Sequence, residues 1–205
     1  MKVVLVNGSP NQTGCTHRAL QEVAKTLELE GVAAELFWVG KSVQGCTACL
    51  QCRKKGQCIF KDRLTDFIPL AKEADGFIFG SPVYYAGPSG NLQAFMERLF
   101  YSAGEAMRYK PAASLVSCRR GGATAAFDRL NKFYTIANMP IVSSQYWNMV
   151  HGMQPADVDQ DLEGLQTMRT LGRNMAWLLN CIAAGRAQGV LQPQPETAVA
   201  TNFIR

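Results

Sequence analysis

Short apolar runs alternate along this chain with stretches of helical periodicity. Val3–Val6 is a continuous apolar run, as expected for a strand that is buried on both faces of a parallel sheet. Leu20, Val23 and Leu27 then recur at the spacing of one helix face. The pattern therefore predicts a strand at the first run and a helix from Thr16 to Glu30.

The same alternation predicts four more strands and four more helices. The strands are Ala33–Trp38, Asp75–Phe79, Ala112–Cys118 and Ile141–Tyr146. The helices are Asp62–Ala74, Gly90–Tyr101, Ala123–Ala137 and Asp157–Ala184. Pro69 lies inside the first of these helices, where it predicts a kink or two shorter pieces. Strands separated by helices indicate an α/β fold with a doubly wound parallel sheet, in which ligands bind beyond the carboxyl ends of the strands.

The composition is that of one globular domain. With 205 residues, 47% of them hydrophobic and 18% charged, the chain is long enough for one sizeable core. We assign residues 1–184 to this domain, including a cysteine-rich loop at residues 45–59. Gln192–Pro195 marks the remainder, residues 185–205, as an irregular C-terminal tail.

The net charge is +5, a modest basic excess. Its strongest clusters, Arg53-Lys54-Lys55 and Arg119-Arg120, are short and lack interleaved aromatic residues, which argues against a nucleic-acid surface. An anionic small molecule or an acidic protein partner suits them better.

We expect neither a targeting signal nor a membrane segment. The apolar run at Val3–Val6 is too short for the core of a signal peptide, and no stretch approaches the roughly 20 apolar residues of a membrane span. The expected location is therefore cytoplasmic. In that compartment disulfides are rare, and clustered cysteines more often bind metal or take part in redox chemistry.

A polar loop rich in glycine, serine and threonine follows the first strand, from Gly8 to Thr16. Backbone N–H groups, hydroxyls and the helix N-terminus make such a loop an anion cradle. It is neither a Walker loop, because no Gly-Lys-Ser/Thr follows, nor a Gly-x-Gly-x-x-Gly dinucleotide fingerprint. A cradle without lysine suits a phosphate monoester held by neutral donors. The alternative is an ordinary turn in which Ser9 or Thr16 caps the helix.

Two further loops follow the third and fourth predicted strands. Ser81–Gly87 carries Tyr84 and Tyr85, whose flat rings suit stacking beside a planar heterocycle. Cys118–Gly122 combines two arginines with two glycines that allow close approach of the backbone, which suits a flavin edge or the phosphates of a nicotinamide dinucleotide. The alternatives are a rigid proline turn with exposed aromatics and a helix N-terminus with solvated arginines.

Four of the seven cysteines lie close together, with the spacing Cys-x2-Cys-x2-Cys-x5-Cys. They are Cys46, Cys49, Cys52 and Cys58. Thiolates spaced in this way can converge on one [4Fe–4S] cluster, although the last gap is longer than in bacterial ferredoxins and Ile59 replaces the usual proline. Zinc and free thiols are the alternatives, and zinc sites usually use two separated pairs. Cys15, Cys118 and Cys181 are isolated structural or loop cysteines.

Together these motifs resemble the flavodoxin-like NAD(P)H-dependent FMN reductases, and within them the iron–sulfur flavoproteins. The resemblance is carried, in this order, by Gly8-Ser9-Pro10, by the cysteine loop and by Ser81-Pro82-Val83-Tyr84-Tyr85. It covers about residues 1–180. It implies a flavodoxin-like, five-stranded sheet in the order 2-1-3-4-5, with FMN at the three loops and a [4Fe–4S] cluster at the four cysteines.

The resemblance also implies a role for single residues. The FMN phosphate would be held by the first loop, at Ser9, Asn11, Thr13, Cys15 and Thr16. The flavin ring would contact Pro82, Val83, Tyr84 and Tyr85, with Arg119 at its edge and Gly121 and Gly122 over its far side. Asn11 stands where the family often has a basic residue and Cys15 where it often has asparagine, so two strong phosphate contacts are missing.

We therefore predict an FMN-dependent NAD(P)H oxidoreductase. Hydride would pass from the nicotinamide to FMN and the electrons then to an acceptor, through the cluster if the cysteines hold one. We assign no side-chain acid or base, because the cofactor carries the chemistry.

Two other classes of protein are weighed against this prediction. A flavodoxin-like electron carrier has no substrate of its own, and such carriers tend to be strongly acidic, unlike this chain. A zinc-stabilised binding module explains only the cysteine loop. By the resemblance, a neighbouring chain walls the exposed flavin ring, which predicts a homodimer or homotetramer.

Overall fold

The computed structural model of the chain describes residues 1–197 and 199–201. Its strands are β1 (Lys2–Asn7), β2 (Ala33–Trp38), β3 (Gly76–Tyr84), β4 (Gly87–Pro88), β5 (Ala112–Cys118) and β6 (Met149–His151). Its helices are α1 (Cys15–Leu29), α2 (Gln51–Lys55), α3 (Arg63–Glu73), α4 (Gly90–Met107), α5 (Ala123–Ile136), α6 (Pro155–Val158) and α7 (Leu162–Ala187).

The predicted doubly wound parallel sheet is present. Its strand order is β2-β1-β3-β5-β6, which is the order 2-1-3-4-5 when the two-residue β4 is set aside. The neighbours on this path pair in parallel, and β1, which lies between β2 and the central β3, places Val4 opposite Glu35 in β2 and Phe77 in β3. β4 pairs antiparallel with the end of β3 as a small hairpin. The predicted fold class is confirmed.

The predicted fifth strand, Ile141–Tyr146, is wrong. Ile141 makes a single parallel bridge to Ala112, and the chain then leaves the sheet until β6. In between, the Asn148 side-chain amide donates to the Ser114 carbonyl of β5 at 3.0 Å, and so takes the place of a strand at that edge. Side-chain bonds of this kind leave no periodic pattern in the sequence, which is why the alternation placed the strand too early.

Two helices on one face of the sheet differ from their predicted forms. α3 runs through Pro69 as a single helix, so the expectation of two pieces is wrong. α4 continues past Tyr101 to Met107, with non-helical backbone angles at Ala103. The predicted helix therefore corresponds to the straight first part of α4, before this break.

The predicted helix Asp157–Ala184 is two helices, α6 and α7. The break lies at Asp161, whose carboxylate accepts hydrogen bonds from the Gly164 N–H at 2.9 Å and from the His151 N–H at 2.7 Å. The first bond caps α7 and the second ties β6 to its start. A capping carboxylate inside a helical pattern is a restart signal that the apolar spacing alone does not show.

Each face of the sheet has its own hydrophobic core. On one face α3, α4 and α5 bury Phe67, Phe95 and Tyr134, and the first two rings meet edge to face with centroids 5.2 Å apart. On the other face α1 and α7 pack against each other and bury Leu20 and Met168. Because both faces are covered, open space for a ligand lies at the edges of the sheet.

After α7, residues 188–197 and 199–201 form a turn and then a segment without helix or strand. The end of the predicted tail, residues 202–205, lies outside the described residues. Within the described residues, no helix combines the length and the apolar character needed to cross a membrane.

Candidate functional site

Three loops meet at the carboxyl edge of the sheet and line one cavity of about 390 Å³. This volume is in the range of small-molecule sites. The loops follow β1, β3 and β5, and the segment after β6 closes the remaining side. The lining residues are Ser9, Asn11, Gly14, Cys15, Thr16, Pro82, Val83, Tyr84, Ser117, Cys118, Arg119, Gly152, Met153, Gln154 and Pro155.

The first loop is shaped by its own hydrogen bonds. The Ser9 N–H donates to the Asn7 side-chain oxygen at 3.0 Å, and the Asn11 N–H donates to the Ser9 hydroxyl at 3.1 Å. The Trp38 indole N–H of β2 donates to the Ser9 carbonyl at 2.8 Å. The loop is therefore pre-formed, with Ser9 fixed from both its neighbours and the adjacent strand.

The first turn of α1 faces this cavity without a side-chain cap. α1 follows Gly14, and neither Ser9 nor Thr16 caps it, which overturns the capped-turn alternative. Thr16 is buried instead, and its hydroxyl bonds the Ser117 hydroxyl of β5 at 2.8 Å. The first N–H groups of a helix are free donors at the positive end of the helix dipole, so the cradle fits a phosphate.

The second loop is a tight hairpin that presents an aromatic side chain to the cavity. Tyr84 lines the cavity and is half-exposed, whereas Tyr85 and Ala86 turn the chain in the left-handed region, at φ 49° and 58°. Non-glycine residues adopt this region only where the surroundings hold them. Behind the turn, Gly122 of the third loop lies so close that an added Cβ would come within 2.8 Å of the Ala86 Cα.

Eight of the twelve predicted cofactor contacts line the cavity: Ser9, Asn11, Cys15, Thr16, Pro82, Val83, Tyr84 and Arg119. The other four do not. Thr13 and Tyr85 point to solvent, Gly121 is exposed, and Gly122 supports the second loop from behind. The structure therefore brings the three loops together but gives Gly122 a packing role.

Two parts of the lining are absent from the sequence-based set. Ser117 precedes Cys118 inside a fully buried strand, where nothing in the pattern marks it as different from its neighbours. The segment Gly152–Pro155 follows β6, and it was missed because the last strand was placed too early. The sequence feature that could have indicated this turn is Gly152, where an added Cβ would come within 3.0 Å of the Val158 side chain.

The ionisable groups at the cavity are largely uncharged. Burial lowers the pKa of His17, which follows the lining residue Thr16 on α1 but does not itself line the cavity, so its imidazole is mostly neutral near pH 7. Burial also raises the pKa of the Cys15 and Cys118 thiols, which keeps both protonated. Among the lining residues, Arg119 supplies the positive charge. The cradle thus relies on neutral N–H and O–H donors, with one guanidinium at its edge.

The four clustered cysteines line a second cavity, which they share with Leu50, Ile59, Phe60, Arg98, Tyr101 and Ser102. Cys46 and Cys49 are exposed, whereas Cys52, on α2, and Cys58 are half-buried, and all four are free thiols. Between them, Ala48 and Leu50 adopt the left-handed region at φ 53° and 54°.

This second cavity matches a four-thiolate cluster site in number, in ligand element and in its apolar lining. The four sulfurs do not converge on one point: in the described residues, no group of three or more His, Cys, Asp or Glu side chains is placed to hold a metal ion. The structure therefore brings the predicted cysteines to one cavity without forming a metal site.

Comparison with known proteins identifies the family to which the chain belongs. The profile of the family described as NADPH-dependent FMN reductase matches residues 1–154, about three quarters of the chain. The chain belongs to this family of flavoprotein oxidoreductases. An iron–sulfur flavoprotein of Methanocaldococcus jannaschii is 31% identical over 191 residues, which are 89% of this chain and 99% of that protein. Within the family, the chain therefore belongs to the iron–sulfur flavoprotein branch.

Solved structures confirm the fold. A flavodoxin-type, WrbA-like protein from Agrobacterium tumefaciens superposes with a TM-score of 0.62 at 20% identity, over 88% of this chain and 97% of that one. A structure described as an NADH:FMN oxidoreductase in its apo form gives a TM-score of 0.66 at 16% identity, over 86% and 89% of the two chains. At such identities the likeness is one of fold alone.

Proposed function

We propose that this protein is an FMN-dependent NAD(P)H oxidoreductase that passes electrons from bound FMN to an acceptor by way of a [4Fe–4S] cluster. The observation that carries the proposal is that the loops after β1, β3 and β5 line one cavity at the carboxyl edge of the sheet. Membership of the FMN reductase family and the 31% identical iron–sulfur flavoprotein support it.

The first loop provides the donors that a flavin phosphate requires. The uncapped N–H groups at Gly14–Thr16 and the Ser9 hydroxyl surround one end of the cavity, where a dianionic phosphate meets the positive end of α1. Asn11 contributes an amide where a basic side chain would add charge. We expect phosphate affinity to come mainly from backbone donors.

The second and third loops form the part of the cavity that fits a flat ring. Pro82, Val83 and Tyr84 offer apolar area on one side, and Arg119 places a cation at the opening. When bound, FMN supplies the chemistry, accepting hydride from a nicotinamide and releasing electrons. The side chains that line the cavity would bind and orient the ring, and the half-exposed Tyr84 would cover part of it.

The cysteine cavity is the proposed place of the [4Fe–4S] cluster. Cys46, Cys49, Cys52 and Cys58 would be the ligands, and apolar side chains make up much of the cavity wall beside them. A bound cluster supplies one-electron transfer. In this arrangement a two-electron hydride donor can serve acceptors that take electrons singly.

Reduction under anaerobic conditions tests the activity. When flavin-loaded protein is mixed with NADH or NADPH in a stopped-flow instrument, we expect the flavin absorbance to bleach rapidly with at least one of them. If neither nicotinamide bleaches the flavin while a separate flavodoxin reductase does so quickly, the protein is a carrier and the proposed activity is wrong.

Replacement of one cysteine tests the cluster. We expect Cys49→Ser to abolish iron binding in anaerobically purified protein while FMN remains bound, because Cys49 lines the second cavity and not the first. Cys181→Ser is the matched control, since Cys181 is an exposed cysteine on α7, and it should leave both contents unchanged. Equal iron in the wild type and Cys49→Ser would argue against cluster ligation by this loop.

A further inference from the structure

Arg98 is a charged residue in the wall of the cysteine cavity, and only 2% of its surface is exposed. It lies on α4, two turns from the start of that helix. A buried guanidinium is costly unless its donors are paired. The partners that justify its burial show what the residue does.

All the partners of the Arg98 guanidinium belong to the segment around the cysteine loop. Its Nε–H donates to the Cys58 sulfur at 3.3 Å. Its two terminal nitrogens grip the Asp62 carboxylate at 2.6 and 3.0 Å and donate to the carbonyls of Gln44 at 3.1 Å and Phe60 at 3.4 Å. These five hydrogen bonds use the five donors that a guanidinium has.

The two carbonyls lie at opposite ends of the loop. Gln44 comes two residues before Cys46, and Phe60 comes two residues after Cys58. Arg98 therefore closes the loop across its base. Inside the loop, Ala48 and Leu50 adopt left-handed backbone angles, which cost free energy and persist only where surrounding contacts hold them. Arg98 holds the two ends of the loop that contains these residues.

The other end of α4 is fixed to residues that adjoin the lining of the first cavity. Ser89, the N-cap of α4, donates from its hydroxyl to the Gly8 carbonyl at 2.5 Å and from its N–H to the Ser81 hydroxyl at 2.8 Å. Nine residues of helix, roughly 13 Å, separate Ser89 from Arg98. One helix thus links the start of the loop after β1 and the end of β3 to the cysteine loop.

We propose that Arg98 is the positioning residue of the cysteine loop: it ties both ends of the loop to α4 and holds the Cys58 sulfur by a direct hydrogen bond. One consequence rests on the proposed function. Hydrogen bonds to ligand sulfurs and nearby positive charge stabilise the reduced, more negative form of an iron–sulfur cluster. Arg98 therefore raises the reduction potential of a cluster bound at this loop.

Arg98→Lys is the test variant, with Arg63→Lys as its control. Lysine keeps the charge beside Asp62 but lacks the planar fork, so it cannot also reach Cys58 and both carbonyls. Arg63, on the neighbouring α3, is a suitable control because it also pairs with a carboxylate, that of Asp66, and donates to a backbone carbonyl, that of Trp38. It makes no contact with a sulfur.

Thiol modification in the metal-free protein tests the positioning itself. Timed alkylation, read by peptide mass spectrometry, should modify Cys58 more slowly than the exposed Cys46 and Cys49 in the wild type and in Arg63→Lys. In Arg98→Lys the Cys58 rate should rise several-fold. An unchanged Cys58 rate in folded Arg98→Lys overturns the proposal, whether or not the wild type binds iron.

A redox titration of anaerobically reconstituted protein tests the effect on the cluster. We expect a lower reduction potential in Arg98→Lys than in the wild type and Arg63→Lys, at equal iron content. An equal potential in all three proteins overturns the effect of the Arg98–Cys58 hydrogen bond on the cluster. Wild-type protein without iron would instead contradict the proposed cluster, and the alkylation result would still decide the positioning role.

A measurement that does not change Arg98 covers the case in which Arg98→Lys fails to fold. In the metal-free wild type, the buried Arg98 Nε–H should give a ¹⁵N-resolved signal that exchanges slowly with water. In Cys58→Ala this signal should shift and exchange faster, because its acceptor has gone. A signal that is the same in both proteins overturns the Arg98–Cys58 bond.

Discussion

At the scale of single residues, Gly122 shows how one backbone position joins two loops of the candidate flavin site. Its φ of +87° is unfavourable for any other residue, and a Cβ there would meet the Ala86 Cα at 2.8 Å. We predict that Gly122→Ala lowers the free energy of unfolding by at least about 1–2 kcal/mol and weakens FMN binding. Urea denaturation and FMN fluorescence quenching measure the two effects.

Gly121→Ala is the matched control for this change. Gly121 has an ordinary φ and no atom within 4 Å of an added Cβ. Its replacement should change stability by no more than about 0.5 kcal/mol and leave FMN affinity intact. Equal losses in the two variants would show that Gly122 has no special packing role.

The buried phenol of Tyr134 should make the stability of the fold depend on pH. Its hydroxyl is buried against the Ser114 hydroxyl at 2.9 Å, and burial raises the pKa of the phenol well above its ordinary value. The unfolded chain loses this proton near pH 10 and the folded chain does not, so stability falls as the pH rises above that value.

Tyr134→Phe removes this contribution. Above about pH 10, the wild type should lose about 1.4 kcal/mol per pH unit more than Tyr134→Phe, as measured by urea denaturation at a series of pH values. Tyr101→Phe, at an exposed position on α4, is the control and should follow the wild type. Parallel curves for the wild type and Tyr134→Phe would contradict the buried, protonated phenol.

Single residues also mark where prediction from sequence ends. Ser9, Thr16 and Tyr84 could be predicted as site residues because their loops follow apolar runs. A parallel sheet brings the carboxyl ends of such runs to one rim. Ser117 could not be predicted in this way, because its role depends on a hydrogen bond to Thr16, 101 positions away in the chain. Arg98 was missed for the same reason, since all its partners come from a different loop.

At the scale of elements, the packing of α7 on α1 gives a prediction that opposes helix propensity. Gly172 of α7 lies against Thr26, and an added Cβ would come within 2.8 Å of the Thr26 Cβ and 3.3 Å of the Val23 carbonyl oxygen. Gly172→Ala should therefore destabilise the fold by about 1–3 kcal/mol, although alanine favours helices.

The control lies on the same helix. Gly185 has room for a Cβ, with its nearest neighbour at an ordinary 3.6 Å. Gly185→Ala should raise stability by up to about 1 kcal/mol, as expected for a glycine-to-alanine change inside a helix. Thermal and urea unfolding of both variants checks the contrast, and stabilisation by both would mean that α1 and α7 do not meet closely at Gly172.

Elements were predictable where local periodicity determined them. The bounds of β2 and β5 follow from apolar patterning alone and are confirmed. The last strand was misplaced because the Asn148 side chain replaces ladder bonds at the edge of β5. The split between α6 and α7 was missed because the Asp161 cap interrupts a continuous apolar spacing.

At the scale of the whole molecule, we propose a homodimer or homotetramer. Tyr84, which lines the cavity at the sheet edge, is about half-exposed in the single chain, as are Tyr146 and Trp147 in the segment before β6. A second chain can cover such a surface and wall a bound ring. Light scattering at micromolar concentration should give at least twice the monomer mass of 22.5 kDa, and a monomer would contradict this proposal.

The central claim joins a flavin at one cavity to a cluster at the other, and one sample tests both. Protein purified under strictly anaerobic conditions is assayed for flavin, iron and acid-labile sulfide per chain. We predict stoichiometric FMN with about four irons and about four sulfides per chain. Flavin without iron would contradict the cluster, and protein that binds neither iron nor added FMN would contradict the whole account.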